Sequence, residues 1–332
     1  MAKEEIDEAF LADPERLVVL RINCHLKGKA WKPVQQFEFV RCFDWWIGHY
    51  QHVGDFHESA NAVFCLPNKL DVLARCIEEA GWLDQSEEPS RRVLVVGGDD
   101  HHLSVTIGDV ERVQRWFHTI FYEAKDIPHS FIRTFPAGLC EHYYRGREAA
   151  MVEAFSGANV DCKENLVLAA WGKYWKELDS TSYRKSLAHF CESSAFVHRQ
   201  EVPFEHWFSV LSNHRFILCP GGSGVQESKV FEALLVLTIP VVLRCPAYED
   251  LEKDGFPLMM VDQWEDVTES SLHCAWDSMS GMLKKFRSER LSGLGCFRFY
   301  CGEEAPPKVR PVTYCGKVAS RGVAVSIEKS KR

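Results

Sequence analysis

Two stretches of the chain carry residues that could do chemistry. The first, FILCPGGSGVQESKVFEALLVLTIPVV, runs from Phe216 to Val242. It begins as an apolar strand, breaks at a proline and three glycines, continues with helical spacing and closes on a second apolar strand. Glycines ahead of a helix let backbone N–H groups approach an anion closely, and the helix dipole adds partial positive charge there. Gly221, Gly222, Ser223 and Gly224 stand where that geometry would form. Lys229, about one turn further on, could reach a phosphate oxygen, and Glu232 could accept hydrogen bonds from the two hydroxyls of a ribose. The plainer alternative is a strand–helix turn whose charges form a solvated face. The spacing is not G-x-G-x-x-G and no G-K-[ST] is present, which weakens dinucleotide and P-loop readings.

The second stretch is GGDDHH, Gly97 to His102, which follows the buried strand residues Val93 to Val96. A loop in that position opens at the carboxyl edge of a parallel sheet, where ligands bind. Asp99, Asp100 and His101 are candidates for a base that takes a proton from a hydroxyl. Two rivals stand beside that role: a capping or structural one, and a metal site. The ligand types suit a metal, yet adjacent ligands on one loop rarely complete a shell. Arg184 could neutralise a diphosphate or lie on a solvated helix face, and Arg133 is a weaker candidate of the same kind. Trp45, Trp46 and Tyr50 could stack on a sugar, although such aromatics more often fill a core.

These residues need elements to hold them. The 332 residues are 46% hydrophobic and 26% charged, enough apolar material for two domains. A formal net charge of −8 argues against broad nucleic-acid binding. The 13 cysteines include no C-x-x-C pair and read as buried thiols, with Cys296, Cys301 and Cys315 near enough to pair in an oxidising compartment. The acidic N-terminus reads as neither signal nor transit peptide, and no run is long enough to span a membrane. The expectation is a soluble, intracellular product, although a fragment of a longer membrane-anchored protein would read the same.

Apolar β-rich runs alternate with helical periodicity along the chain. Strands are expected at Arg16 to Leu26, Asn61 to Asn68, Val93 to Val96 and Ser130 to Leu139, with helices at Leu70 to Leu83, stopped by Gly81, and at Asp109 to Glu123, with Asp109 as N-cap. Phe43 to His57 has no clean period and reads as loop plus short helix. The polar segment Arg145 to Lys163 reads as a linker. A second series follows: strands at Glu164 to Gly172, at Arg215 to Pro220, at Ile239 to Pro246 and within Phe256 to Val267, and helices at Ser182 to Ser194, Val202 to Asn213 and Ser271 to Leu291. The pattern predicts an α/β protein of two doubly wound Rossmann-like domains, an N-terminal one over 1–150 and a C-terminal one over 160–290. The tail, 292–332, is expected to carry little ordered structure.

The stretch from Cys219 resembles the C-terminal core of exostosin-like glycosyltransferases. Cys219-Pro220, Gly222-Ser223-Gly224, Phe231-Glu232-Ala233-Leu234 and Ile239-Pro240-Val241-Val242 carry the likeness. SFIRTFPAGL and ENLVLAAWG followed by Arg184 match more loosely, so the resemblance spans roughly Arg91 to Val267. It implies the two-domain GT-B arrangement with a cleft between donor and acceptor sides. It also implies inverting, metal-independent transfer of a sugar from a nucleotide donor, commonly a UDP-sugar, to a glycan or other hydroxyl acceptor. On that reading there is no cofactor and no metal ligand, and the nucleotide-sugar is a co-substrate. Ser223, Gln226, Ser228, Lys229 and Leu237 stand where the family has Asn, Asp, His, Arg and Gly. Those departures keep two alternatives open: a catalytically degenerate sugar- or nucleotide-binding protein on the same fold, and a metal-dependent hydrolase using Asp99 to His102. Most animal and plant members sit in the Golgi behind a membrane anchor, so a Golgi location is implied if the chain is a fragment.

Overall fold

The computed structural model describes residues 43–47, 51–53, 60–84, 86, 91–98, 100–139, 148–170, 181–222, 224–291, 293–302 and 312–314. In chain order the first elements are β1 (Trp45–Ile47), β2 (Gln51–Val53), β3 (Ala62–Cys65), α1 (Leu70–Glu79), β4 (Val93–Val96), α2 (Leu103–Gln114), β5 (Thr119–Tyr122), β6 (Ile132–Thr134) and α3 (Glu148–Gly157). Next come β7 (Asn165–Ala169), α4 (Thr181–Ser193), β8 (Val197–Arg199), α5 (Trp207–Ser212), β9 (His214–Cys219), α6 (Ser228–Leu235), β10 (Ile239–Leu243) and α7 (Pro246–Lys253). The last are β11 (Met259–Val261), α8 (Glu269–Met279), α9 (Leu283–Arg290), α10 (Gly293–Cys301) and β12 (Val312–Tyr314). The strand expected at Arg16 to Leu26 lies outside the described residues.

The strands form two sheets, ordered β12-β2-β1-β3-β4-β5-β6 and β11-β10-β9-β7-β8. In the first, β1, β3, β4, β5 and β6 are parallel, and β2 and β12 add an antiparallel edge. Parallel strands are buried on both faces, which is why VLVV and AVFC are apolar throughout. Val63, Cys65, Leu94, Val96, Ile120 and Tyr122 pack on one side with the buried stripes of α1 and α2. On the other side Phe43 meets Phe64 and Phe297, and Phe121 meets Tyr300, with ring centroids 5.3, 5.2 and 4.9 Å apart. Phe297 and Tyr300 belong to α10. The second face of the first sheet is therefore covered by a helix from the far end of the chain. Among the described residues the parallel strands of this sheet run in chain order without reversal.

The second sheet is wholly parallel. Its spatial order from β8, β8-β7-β9-β10-β11, is the 2-1-3-4-5 order of flavodoxin-like doubly wound folds. Its core joins Val167, Leu168, Phe216 and Ile217 to buried residues of α4, α5, α6, α7 and α9. The molecule is thus an α/β protein with two parallel-strand sheets.

Local chemistry explains most element ends. α1 stops at a Schellman turn: Gly81 has φ +68°, its N–H donates to Glu78 O, and Trp82 N–H donates to Ile77 O. α7 ends the same way at Gly255, φ +85°. α6 makes a third such turn through Leu237 N–H to Leu234 O and Thr238 N–H to Ala233 O, but here the left-handed residue is Leu237, φ +61°. A leucine in that region costs about 1–2 kcal/mol over glycine. The glycine of the resembling family is the residue this geometry favours.

Several sequence expectations are corrected. Within Phe43 to His57, read as loop plus short helix, the described residues 43–47 and 51–53 include the two short strands β1 and β2. The helix expected at Asp109 to Glu123 begins earlier, at Leu103, because Asp126 from a later loop caps it, accepting from Ser104 N–H at 2.9 Å and from the Ser104 hydroxyl. Asp109 is interior to that helix, and Thr119–Tyr122 is a strand. The expected linker contains α3, whose Met151 is buried in the second core. The long helix expected over Ser271 to Leu291 is broken at Ser280–Met282 into α8 and α9. Of the tail, the described residues 293–302 and 312–314 include α10 and β12, both attached to the first sheet. Cys65, Cys191 and Cys219 are buried free thiols, as their sequence setting suggests. Cys296 and Cys301 lie on the single helix α10, and Cys315 is outside the described residues.

The two units meet along α7 and β6. Lys125 Nζ lies 2.6 Å from Asp250 Oδ2, which also accepts from Thr134 N–H at 2.9 Å and Thr134 Oγ1 at 3.0 Å. Asp254 pairs with Arg133 and accepts from Tyr300 Oη at 3.1 Å. Burial raises the Asp254 carboxyl above the usual range, against the pull of Arg133. Arg133 is thus an interface residue, its guanidinium paired with Asp254.

Candidate functional site

A 2-1-3-4-5 sheet has its switch point between the first and third strands, where connections leave in opposite directions and open a crevice at the carboxyl ends. In this molecule those strands are β7 and β9. β9 ends at Cys219 and runs directly into Pro220, Gly221 and Gly222. The glycine loop read from the sequence therefore opens on the switch point. Lys229 Nζ crosses it and donates to Ala170 O, just beyond β7, at 2.9 Å. An ammonium carries three N–H donors, so two remain for a ligand.

The loop is longer than the sequence reading supposes. α6 begins at Ser228, and Glu227 is its N-cap residue, with no side chain capping the helix. Gly221, Gly222 and Gly224 precede the helix rather than forming its first turn, while Ser223 lies outside the described residues. The N–H of Glu227 donates to Tyr248 Oη at 3.2 Å and that of Val230 to Glu227 O at 3.1 Å. At the other end of α6, Arg287 Nη1 donates to Leu235 O at 2.9 Å, and buried Lys163 donates to Val236 O at 3.0 Å, Ser212 O at 2.8 Å and Thr238 Oγ1 at 2.8 Å. Burial, with a smaller push from Arg287, brings the Lys163 pKa down to about 7. Both cations sit at the negative end of the α6 dipole and leave its positive end toward the crevice.

Glu232 is buried, 5% exposed, and its Oε2 accepts from Trp207 Nε1 at 2.6 Å. Lys229 Nζ lies 5.8 Å from the centroid of the same indole. Arg184 stands in the first turn of α4, and its Nε is buried with no hydrogen-bond partner among the described residues. Arg184 and Lys229 both draw down the pKa of Glu227, which places all three in one electrostatic neighbourhood; burial outweighs them and raises that carboxyl overall. The Glu227 carboxylate packs on the loop: a Cβ added to Gly222 would lie 2.9 Å from its Oε1. A side chain at 222 would make the Glu227 carboxylate shift away from the loop.

Across the crevice stands the other predicted stretch. A Cβ added to Gly224 would lie 3.0 Å from Asp100 Oδ1. The loop after β4 and the loop after β9, from different units, therefore face each other. The turn at Gly98, φ +83°, is held by Glu123, whose Oε2 accepts the Gly98 N–H at 2.7 Å. A Cβ on Gly97 would meet the same oxygen at 2.7 Å. Asp99 lies outside the described residues. The His101 side chain is exposed, and its carbonyl accepts from Tyr122 Oη at 2.9 Å. His102 Nδ1 lies 3.4 Å from Asp126 Oδ2. Among the described residues no three His, Cys, Asp or Glu side chains converge as a metal set.

The structure thus brings together Gly221, Gly222, Gly224, Lys229, Glu232, Arg184 and Asp100. It sets Trp45 and Trp46 apart as core, 4% and 1% exposed, whereas Tyr50 lies outside the described residues. Sequence reasoning missed Trp207, Gln226 and Glu227 as site-building residues. Gln226 is buried: its Nε2 donates to Glu123 O at 2.6 Å and Phe135 O at 2.8 Å, and its Oε1 accepts from Ala137 N–H at 3.1 Å. It ties the glycine loop to the first unit. Only a helix-start carboxylate, Glu227, had a local signal; the other two act through contacts distant in sequence. Among the described residues no helix is long and apolar enough to cross a membrane. No protein-family model matches the chain, and a comparison with curated proteins returns no match.

Proposed function

We propose that the protein is a glycosyltransferase of the exostosin-like, GT-B type that moves a sugar from a nucleotide donor to a hydroxyl acceptor. Fold alone does not carry this reading, since doubly wound sheets host many activities. It rests on one observation: a glycine loop, Lys229 and Arg184 line the switch point of the second sheet, with Asp100 facing them from the first unit. Loop amides, Lys229 and Arg184 stabilise the leaving diphosphate electrostatically. Glu232, aimed by Trp207, accepts from the ribose hydroxyls. Asp100, with Asp99 and His101 as its neighbours on the same loop, takes the proton of the acceptor hydroxyl as that oxygen attacks the anomeric carbon with inversion. UDP-sugars are the first donors to test.

A degenerate nucleotide-binding protein is the second reading. It is favoured by Gln226, which is committed to the domain contact at the position where the family has Asp. Nucleotide binding without sugar transfer would select it.

Thermal-shift titration of UDP, GDP and their sugars tests the reading. UDP stabilises the wild type, and Lys229→Ala weakens its binding about 10–100-fold, as loss of a charge-assisted hydrogen bond does. Glu232→Ala removes the preference for UDP over its 2′-deoxy analogue. Trp207→Phe keeps an aromatic ring, though a smaller one, loses the N–H and reduces that preference. Wild-type protein stabilised by none of these nucleotides would end the proposal.

A further inference from the structure

The reading above leaves one residue in tension with it. Glu227 presses its carboxylate on Gly222, where the oxygens of a diphosphate would lie against the loop. Two anions in that space repel each other. The side chain is not there to cap α6. No donor among the described residues reaches its carboxylate, although its own N–H is taken by Tyr248. Its carboxylate lies against the glycine loop, in the electrostatic reach of Lys229 and Arg184.

We infer that Glu227 is itself a ligand of the bound diphosphate, and that its carboxyl carries a proton when it is. This rests on the nucleotide-binding reading of the same site. The step is a proton transfer from solvent to one carboxylate oxygen of Glu227, followed by O–H donation to a non-bridging phosphate oxygen. No other bond forms or breaks. The groups that face Glu227 set the balance. Arg184 on α4 and Lys229 on α6 hold the ionised form, while Glu232 on α6, Cys219 at the end of β9 and Tyr248 on α7 oppose it or stay neutral. Burial is the largest influence and already favours the protonated acid. Once a diphosphate takes up Lys229 and Arg184, their hold on the carboxylate weakens and its proton affinity rises further. The loop then binds the anion and one proton together.

The sign of the linkage follows. Above the free-state pKa the unbound protein must gain a proton to bind, so affinity falls as pH rises, by up to tenfold per pH unit for one proton. The experiment is calorimetric titration with UDP-glucose and GDP-mannose, whose diphosphates do not titrate between pH 6 and pH 8.5, in two buffers of different ionisation heat. For whichever sugar nucleotide binds, the wild type takes up about one proton at pH 8 and binds several-fold tighter at pH 6.5. Glu227→Gln, which keeps a donor without a titrating proton, binds at pH 8 at least as tightly as the wild type, with no uptake and a flat pH profile. Glu227→Ala is also flat but weaker than the Gln variant. Binding by the wild type with no proton uptake overturns the inference while sparing the site. So does a Glu227→Gln profile as steep as the wild type's, which would assign the proton to another group. If neither sugar nucleotide binds the wild type at any pH, both this inference and the nucleotide reading fall.

Discussion

Asp250→Ala is expected to lower unfolding free energy by about 3–5 kcal/mol, among the largest effects of any single substitution in this chain. Its partner Lys125 has a side chain only 4% exposed, and the Nζ–Oδ2 distance is 2.6 Å. Removing the carboxylate leaves a buried ammonium with no counter-charge and strips two acceptor contacts from Thr134. Asp250→Asn keeps an oxygen for Thr134 but not the charge, so it should cost nearly as much. The double variant Lys125→Met with Asp250→Leu should recover most of the loss, because a buried pair replaced by apolar groups of similar volume is often neutral or better. Urea denaturation of the three variants against wild type measures this. A loss below about 1 kcal/mol for Asp250→Ala, typical of an exposed pair, would show that this contact does not hold the two units together.

Gln226→Ala is the second large effect. One side chain satisfies three backbone groups of the first unit, the carbonyls of Glu123 and Phe135 and the N–H of Ala137, all in buried contacts. Leaving buried polar groups unpaired costs about 1–3 kcal/mol each. Relaxation admits some water, so the expected total is about 3–4 kcal/mol. The functional effect should go further than the stability effect. The same side chain fixes the loop that carries Gly222 and Gly224, and it sets the approach of Gly224 to Asp100. Nucleotide affinity should therefore drop in Gln226→Ala at temperatures where the protein is still folded, as circular dichroism and calorimetry on one sample would show. Unchanged affinity at reduced stability would separate the domain contact from the site.

Local signals made much of this fold readable. The 3,4 spacing of Leu70, Leu73, Ala74 and Ile77 and the stop at Gly81 describe α1 closely, and the runs VLVV and RFILC locate β4 and β9. Most of the failures come from partners far away in sequence. α2 begins ahead of Asp109 because Asp126 caps it from another loop. Phe43 to His57 shows no period because its three-residue strands are too short to establish one. Phe297 and Tyr300 of the tail acquire their meaning only against Phe43 and Phe121. The site divides in the same way. The glycines, Lys229 and the Asp100 loop announce themselves by residue type and by following strands. The bond from Trp207 to Glu232 and the clamp made by Gln226 join segments that nothing local connects. Gln226 was legible as a departure from a family pattern, but its use as a domain tie was not.

Amide hydrogen exchange of the wild-type protein with and without UDP tests the central claim most directly, because it reads the backbone groups the claim depends on. The account predicts slowed exchange over Gly221 to Val230 and around Asp100, with the protection lost in Lys229→Ala. Exchange left unchanged across the glycine loop at saturating UDP, or protection confined to surfaces away from the ends of β7 and β9, would contradict it.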